Sequence, residues 1–283
     1  MDATSAHPRS GRPHDGEAPQ PPGNPFAHLD AAADEAQSHV IGYLDAAAAH
    51  HEMQRMRSAA FDVFAPTPGE RLLDVGCGVG EVARQLGSRV GKEGHVSAVD
   101  RSALAVSVAS SRHDGTPVDY AVGDIMALDA PDGHFDGVRC ERVLQHLGDP
   151  DGAIRELIRV TRPGGRVCVI DTDWSSCVWD GFGHMAEVTR RFPFPDQDAG
   201  RVVRARMVRA GLRATAPIPV TLRFTTPEDA ASVVPFFDLH ALGMCVEPEL
   251  QKRFLDSVHE SAGRGDFLFA LTMWITVGRV AGA

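Results

Sequence analysis

A chain of 283 residues, 43% hydrophobic and 23% charged, has the length and composition of one large soluble α/β domain with additions. No apolar stretch approaches the about 18 residues of a membrane helix, so no membrane partner is expected. A net charge of −10 argues against a nucleic-acid partner, whose phosphates call for a basic face.

Residues 1–25, MDATSAHPRSGRPHDGEAPQPPGNP, are polar and proline-rich, with no apolar run like that of a secretory leader. They offer almost nothing to bury and read as a disordered tail. In residues 26–65 the composition changes, and Val40, Tyr43, Leu44 and Ala47 recur at helical spacing. Met53, Met56, Ala60 and Phe61 form another such face, so two helices are expected as a cap before the main fold. His50 and His51 point about 100° apart on a helix and make a poor metal clamp. No metal is expected. The five cysteines are odd in number and show no CxxC pair, which reads as reduced thiols in a cytoplasm.

From Arg71 a rhythm of strands and helices begins. Short apolar or β-branched runs at Arg71–Val75, His95–Asp100, Val118–Val122, Phe135–Cys140 and Arg166–Ile170 read as strands. Helical stretches lie near Glu81–Val90, Ser102–Arg112, Asp151–Val160 and Ala199–Ala210. Such alternation predicts a parallel sheet covered by helices on both faces. The turn Arg162-Pro163-Gly164-Gly165 is a stop signal before the fifth strand. Residues 172–198 and 226–264 carry many aromatics with weak periodicity and read as lid segments beyond the sheet. Ile218–Phe224 and Phe267–Val277 suit a final antiparallel pair.

The first strand runs into LLDVGCGVGEVARQL, Leu72–Leu86, where a glycine turn leads into a helix and lets a ligand lie against bare backbone. Glycines 76, 78 and 80 make GxGxG, but a dinucleotide fold wants glycine at position 81, which is Glu81. A phosphate-cradling Gly-Lys-Ser/Thr is also absent. Asp100, at the end of the second strand, is placed to accept both hydroxyls of a ribose. Asp124 can accept from an exocyclic amine, with Ile125 and Met126 as an apolar wall for adenine. Asp74 suits a positively charged ligand better than a pyrophosphate. Singly, each aspartate is equally a strand-end or capping residue; together they describe a site for a cationic adenosine conjugate.

These segments resemble, in order, the motifs of the class I S-adenosylmethionine-dependent methyltransferases. LLDVGCGVG is similar to their first motif, VSAVD to the second, GDIMALD to the third, FDGVRCERVLQHL to the fourth strand and its loop, and RVTRPGGRVCVID to the fifth. The resemblance covers roughly Pro66–Asp171 continuously and the last strands more loosely. It implies a Rossmann-like sheet of seven strands in order 3-2-1-4-5-7-6, the last antiparallel, making residues 66–283 the methyltransferase domain. It implies S-adenosylmethionine as cofactor, held by Asp74, Gly76, Cys77, Gly78, Gly80, Asp100, Arg101, Asp124, Ile125 and Met126. Cys77 would contribute backbone and fill space.

Methyl transfer is an in-line displacement that needs alignment, exclusion of water and, for hydroxyl or ammonium acceptors, a base. Resemblance to bacterial small-molecule and sugar O-methyltransferases implies His146 as that base and Asp171 as its partner, with Asp173 and Glu141 as second candidates. The alternative for His146 is packing or capping. Tyr43 and Trp174 are candidate acceptor-binding residues, with Trp179 beside them, although both tryptophans serve equally well as cap-core aromatics. The expected activity is O- or N-methylation of a small organic acceptor in natural-product biosynthesis, by a monomer or homodimer. C-methylation of an isoprenoid or aromatic carbon is the alternative within the class, and a non-catalytic cofactor-binding protein the alternative outside it.

Overall fold

The computed structural model describes residues 29–214 and 216–282, so the expected tail at 1–25 lies outside the described residues. A 3-10 turn, Leu29–Ala31, leads into α1 (Asp34–Ala49) and α2 (His51–Phe64), the two expected helices. His50 joins them in extended conformation, and its ring accepts from the Glu52 amide, capping α2. The alternation then runs β1 (Arg71–Val75), α3 (Glu81–Val90), β2 (His95–Asp100), α4 (Ala103–Ser111), β3 (Val118–Val122), β4 (Phe135–Glu141), α5 (Pro150–Val160) and β5 (Thr161–Asp180). Ser102 and Asp149 start α4 and α5 as side-chain caps, with Pro150 preset for a first helical turn.

Strands β1 to β5 are parallel neighbours in the order β3-β2-β1-β4-β5. After α6 (Met185–Thr189) and α7 (Ala199–Arg209) come the two-residue β6 (Arg213–Ala214) and β7 (Ile218–Phe224). Helices α8 (Pro227–Ala231), α9 (Leu239–Cys245) and α10 (Pro248–Arg264) precede β8 (Leu268–Arg279). Strand β8 lies antiparallel to β5, and both β6 and β7 pair antiparallel with β8. The expected order 3-2-1-4-5-7-6 is therefore present, with β8 as the antiparallel strand and β7 beyond it. Short β6 raises the strand count from the expected seven to eight.

One expectation needs correction. Residues 172–180, read as irregular lid, continue β5 and pair with β8 as far as Asp180 opposite Leu268. A register shift between Asp173 and Val178 hides the two-residue period there.

Period-two alternation sends neighbouring side chains to opposite layers. Leu72 packs with Met53, Phe64, Val82 and Leu86 of α2 and α3, whereas Leu73 and Val75 pack with Ile154, Leu157, Val203 and Met207 of α5 and α7. Arg166 anchors the end of α2: its guanidinium donates to the carbonyls of Phe64 and Ala65 and pairs with Glu70 at 2.6 Å. The segments after β5 extend the α2–α3 layer with aromatics, in which Phe182 stacks on Phe267 at 5.0 Å and Phe237 meets Phe269 edge-on at 5.0 Å. Among the described residues no helix is long and apolar enough to cross a membrane.

Helix α2 seats on the sheet where β4 has no side chain. A Cβ on Gly137 would lie 2.9 Å from Phe64 Cζ and 3.1 Å from Leu72 Cδ2, both deeply buried. Gly137→Ala should therefore overpack this layer and lower the unfolding free energy by about 1–3 kcal/mol, read as a lower urea midpoint. An unchanged midpoint would show that Phe64 has room to move.

Candidate active site

The carboxyl ends of the parallel strands meet at a cleft of about 1150 Å³. Its floor is the glycine turn after β1. Gly76 and Cys77 donate their amides to Val99 O at 2.8 and 3.0 Å, which ties the turn to β2. Gly76 has φ 75, and a Cβ there would lie 2.2 Å from Val143 Cγ2. Gly78, at φ 52, faces the cleft and donates to Asp100 Oδ2 at 2.9 Å. Gly80, at φ 81, does not line the cleft; its missing Cβ makes room for Tyr120 and Ala109. The three glycines thus do three jobs, and only Gly76 and Gly78 bring backbone to this cavity.

Asp100 bridges the turn and α4, since its Oδ1 accepts from the Ser102 amide at 2.9 Å. Each carboxylate oxygen keeps further lone-pair capacity. Burial holds its pKa above the usual range, against the two amides that lower it. Arg101, Asp124 and Ile125 line the same end of the cleft, while Met126 is exposed outside it. Asp124 Oδ1 accepts from the Met126 amide at 2.9 Å, folding the turn that presents Ile125. Asp30, ahead of α1, accepts from Ser102, Ala103 and Leu104, bringing Leu29 over this end.

Behind the glycine turn lies a second cavity of about 530 Å³, lined by Arg57, Asp74, Cys77 and Arg139 among others. Asp74 and Arg139 are paired in register between β1 and β4, 3.4 Å apart and both buried. Arg139 also pairs with Glu141, which receives Arg57 at 2.9 Å. Burial raises the Asp74 pKa to about 6, although Arg139 opposes the shift. Glu141 is held well below the carboxylate range, because Arg57 and Arg139 overcome its burial. Asp74 Oδ2 and Arg57 Nη1 are buried without a hydrogen-bond partner among the described residues. The Cys77 thiol is pushed up by burial, consistent with space-filling.

The opposite end of the first cleft is built by β4, β5 and the 3-10 turn Leu144–His146. Asp171 is fully buried and accepts from the amides of Gln145 at 3.2 Å and Thr172 at 2.9 Å, so its grip on His146 runs through the turn's backbone. Burial lifts its pKa to about 7. His146 lines the cleft, with Nε2 3.0 Å from Gln145 Nε2. Burial, then the positive charges of Arg142 and Arg101, lower its pKa to about 3. Trp174 donates Nε1–H to Gln145 Oε1 at 2.9 Å and stacks on Phe194 at 4.6 Å. Tyr43 also lines the cleft, its hydroxyl donating to Val233 O.

Of the second candidates, Asp173 is paired with Arg201 and Glu141 belongs to the charge network. Trp179 lies outside the cleft, on the far part of β5. The structure brings in residues the sequence did not single out: Gln145, Arg142, Arg57 and Arg139. Arg142 had one legible signal, its place directly after a strand, and it adopts a left-handed φ of 56 that a side chain rarely takes. Among the described residues no group of His, Cys, Asp and Glu could hold a metal ion.

Residues 73–169 match the methyltransferase domain family. An uncharacterized 37.1 kDa protein in transposon TN4556 of Streptomyces fradiae is 32% identical over 250 residues, 84% of this chain and 71% of that protein. A 2-phytyl-1,4-naphtoquinone methyltransferase of Synechococcus elongatus is 37% identical over 111 residues, 38% of this chain; the match spans 48% of that enzyme's length. Among solved structures, the YcgJ protein of Bacillus subtilis shares the fold with a TM-score of 0.60 at 18% identity, over 80% of this chain and 98% of that one. The chain belongs to the class I S-adenosylmethionine-dependent methyltransferases and is an enzyme of that family, with S-adenosylmethionine as its cofactor.

Proposed function

We propose that this methyltransferase modifies a small, largely apolar organic acceptor of the natural-product type. The observation that carries the reading is one cleft lined at one end by Gly78 and Asp100 and at the other by His146, Trp174 and Phe194. Cofactor and acceptor can share it, and shared walls supply the alignment that an in-line transfer requires.

The residues present fit the cofactor. Asp74 Oδ2 and Arg57 Nη1, orphaned in the cavity behind the glycine turn, match the ammonium and carboxylate of its amino-acid end. The spare lone pairs of Asp100 suit ribose hydroxyls, and Asp124 with Ile125 suits the adenine. Gly76, Cys77 and Gly78 supply close backbone, Gly80 shapes the turn from behind, Arg101 borders the ribose end, and Met126 stands at the rim. When bound, S-adenosylmethionine supplies an electrophilic methyl group. Tyr43 and Trp174 would wall the acceptor and keep water out.

His146 faces the acceptor in this reading, and Asp171 positions it by pinning the turn. Oxygen or nitrogen is the acceptor atom we favour. Carbon of an isoprenoid or aromatic ring is the second reading, favoured by the stacked Trp174 and Phe194, whose π faces suit developing positive charge.

Two measurements test the cofactor half of the site. Asp100→Ala should weaken S-adenosylmethionine binding at least about tenfold in calorimetry, the scale of losing charge-assisted hydrogen bonds; an unchanged affinity would remove Asp100 from the site. Asp74, with its pKa raised to about 6, is ionised above that pH and protonated below it. Affinity for the cofactor should therefore fall as pH drops through about 6, and Asp74→Asn should bind weakly at all pH values without that step. A pH-independent affinity in the parent chain would separate Asp74 from the ammonium.

A further inference from the structure

We propose that Trp174 and Gln145 lock His146 as a neutral imidazole protonated on Nδ1, so that the site takes no proton from its acceptor and selects an acidic hydroxyl, a phenol or an enol, methylated on oxygen as its anion. This rests on reading the cleft as the place of methyl transfer.

The lock follows from donor and acceptor types. An indole N–H can only donate, so the Gln145 atom 2.9 Å from Trp174 Nε1 is the carbonyl oxygen. That fixes the amide orientation and turns its NH₂ toward His146 Nε2, 3.0 Å away. A donor at that distance needs a lone pair opposite it, which places the ring proton on Nδ1. Gln145 cannot easily swing aside. It is 2% exposed and its backbone is pinned by Asp171, while Trp174 is stacked on Phe194 and donates its own amide to Gln197 O at 2.9 Å.

Protonating Nε2 would set N–H against N–H. It would also place a second positive charge near Arg142, which directly follows β4, with the more distant Arg101, after β2, adding to the same field. The phenyl ring of Phe194, 5.8 Å away, brings no counter-charge, and Asp171 beneath the turn already accepts from two amides. Among the described residues, the carboxylates that line the cleft lie elsewhere or are paired: Asp100 and Asp124 at the nucleoside end, and Glu141 with Arg57 and Arg139. The low pKa of His146 agrees with this arrangement.

A base so weak cannot deprotonate an aliphatic alcohol or an ammonium near neutral pH. Arg142, lining the cleft at the His146 end, instead favours an acceptor that is already an anion. The balance is simple. The acceptor's O–H proton goes to bulk water on ionisation, the oxyanion's electron pair forms the bond to the methyl carbon, and the carbon–sulfur pair stays with sulfur.

The full chain, labelled with ¹⁵N-histidine, tests the lock directly by NMR. His146 should show the neutral Nδ1–H tautomer with no titration near the ordinary value of about 6.5. Gln145→Glu, whose carboxylate can only accept, should flip the proton to Nε2 and bring the titration up into that range. A His146 that titrates near 6.5 in the parent chain, or carries its proton on Nε2, overturns the lock. With S-adenosylmethionine present, 4-nitrophenol and cyclohexanol are the two acceptor probes. Release of S-adenosylhomocysteine and the methyl ether with 4-nitrophenol, rising with its ionisation and absent with cyclohexanol, supports the proposal. Comparable turnover of cyclohexanol, or a ring-methylated product, overturns it. Failure to bind S-adenosylmethionine in calorimetry would instead sink the reading of the cleft, and the NMR result would stand apart from it.

Discussion

A guanidinium in the middle of a parallel sheet sets the terms for everything around it. Arg139 is 2% exposed, on a strand flanked by β1 and β5, and a charge so placed must be paired or it destabilises the fold by several kcal/mol. The register supplies the partner, because Asp74 of β1 lies opposite Arg139. Period two supplies the next, because Glu141 is on the same face two residues on. Glu141 then holds Arg57 of α2, so the network fastens the N-terminal helices to the sheet. What the network leaves without a hydrogen-bond partner among the described residues, Asp74 Oδ2, Arg57 Nη1 and Arg139 Nε, belongs to side chains that line the cavity behind the glycine turn. A structural necessity thus leaves one acceptor and two donors on side chains beside the same small space.

The parallel half of the fold was legible because its punctuation is strong. Strands β1, β2 and β3 and helix α3 begin and end on the expected residues, since glycine, proline and capping residues interrupt apolar runs at each boundary. The end of β5 was not legible. Past Asp171 the strand is buried on both faces as far as Trp174, and the register then shifts, so alternation gives no signal. Asp74, Asp100 and Asp124 stood out as candidates because each lies at or just after the end of a strand, where ligands gather, and each lines one of the two cavities. Arg139 could not, because a charged residue inside a strand reads as solvent-facing until the register shows a carboxylate beside it. Gln145 had no signal at all: its importance comes from Trp174, 29 residues away, and from the direction of one amide.

The roof over the cleft depends on contacts of still longer range. Tyr43 of α1 reaches Val233 O across 190 residues, and His39 of the same helix meets Asp238 at 2.9 Å. Each contact ties the first helix to segments that follow β7. A tyrosine at helical spacing could be read as packing, and it is buried packing; the added fact is that its hydroxyl closes the span between the two sides.

Polar fixation and apolar walls have separate tasks in this cleft. At the nucleoside end, carboxylates accept backbone amides and hold the loops that carry them, which leaves lone pairs for a ligand. At the acceptor end, the polar atoms of Gln145 are spent on Trp174 and His146, while aromatic rings form the wall. In the proposed reading, the first end recognises the nucleoside in detail and the second confines a largely apolar acceptor with few hydrogen bonds. Such a division lets one cofactor site serve different acceptors by exchange of the wall, because neither the glycine turn nor the buried charge network needs to change when Trp174, Phe194 or Tyr43 does.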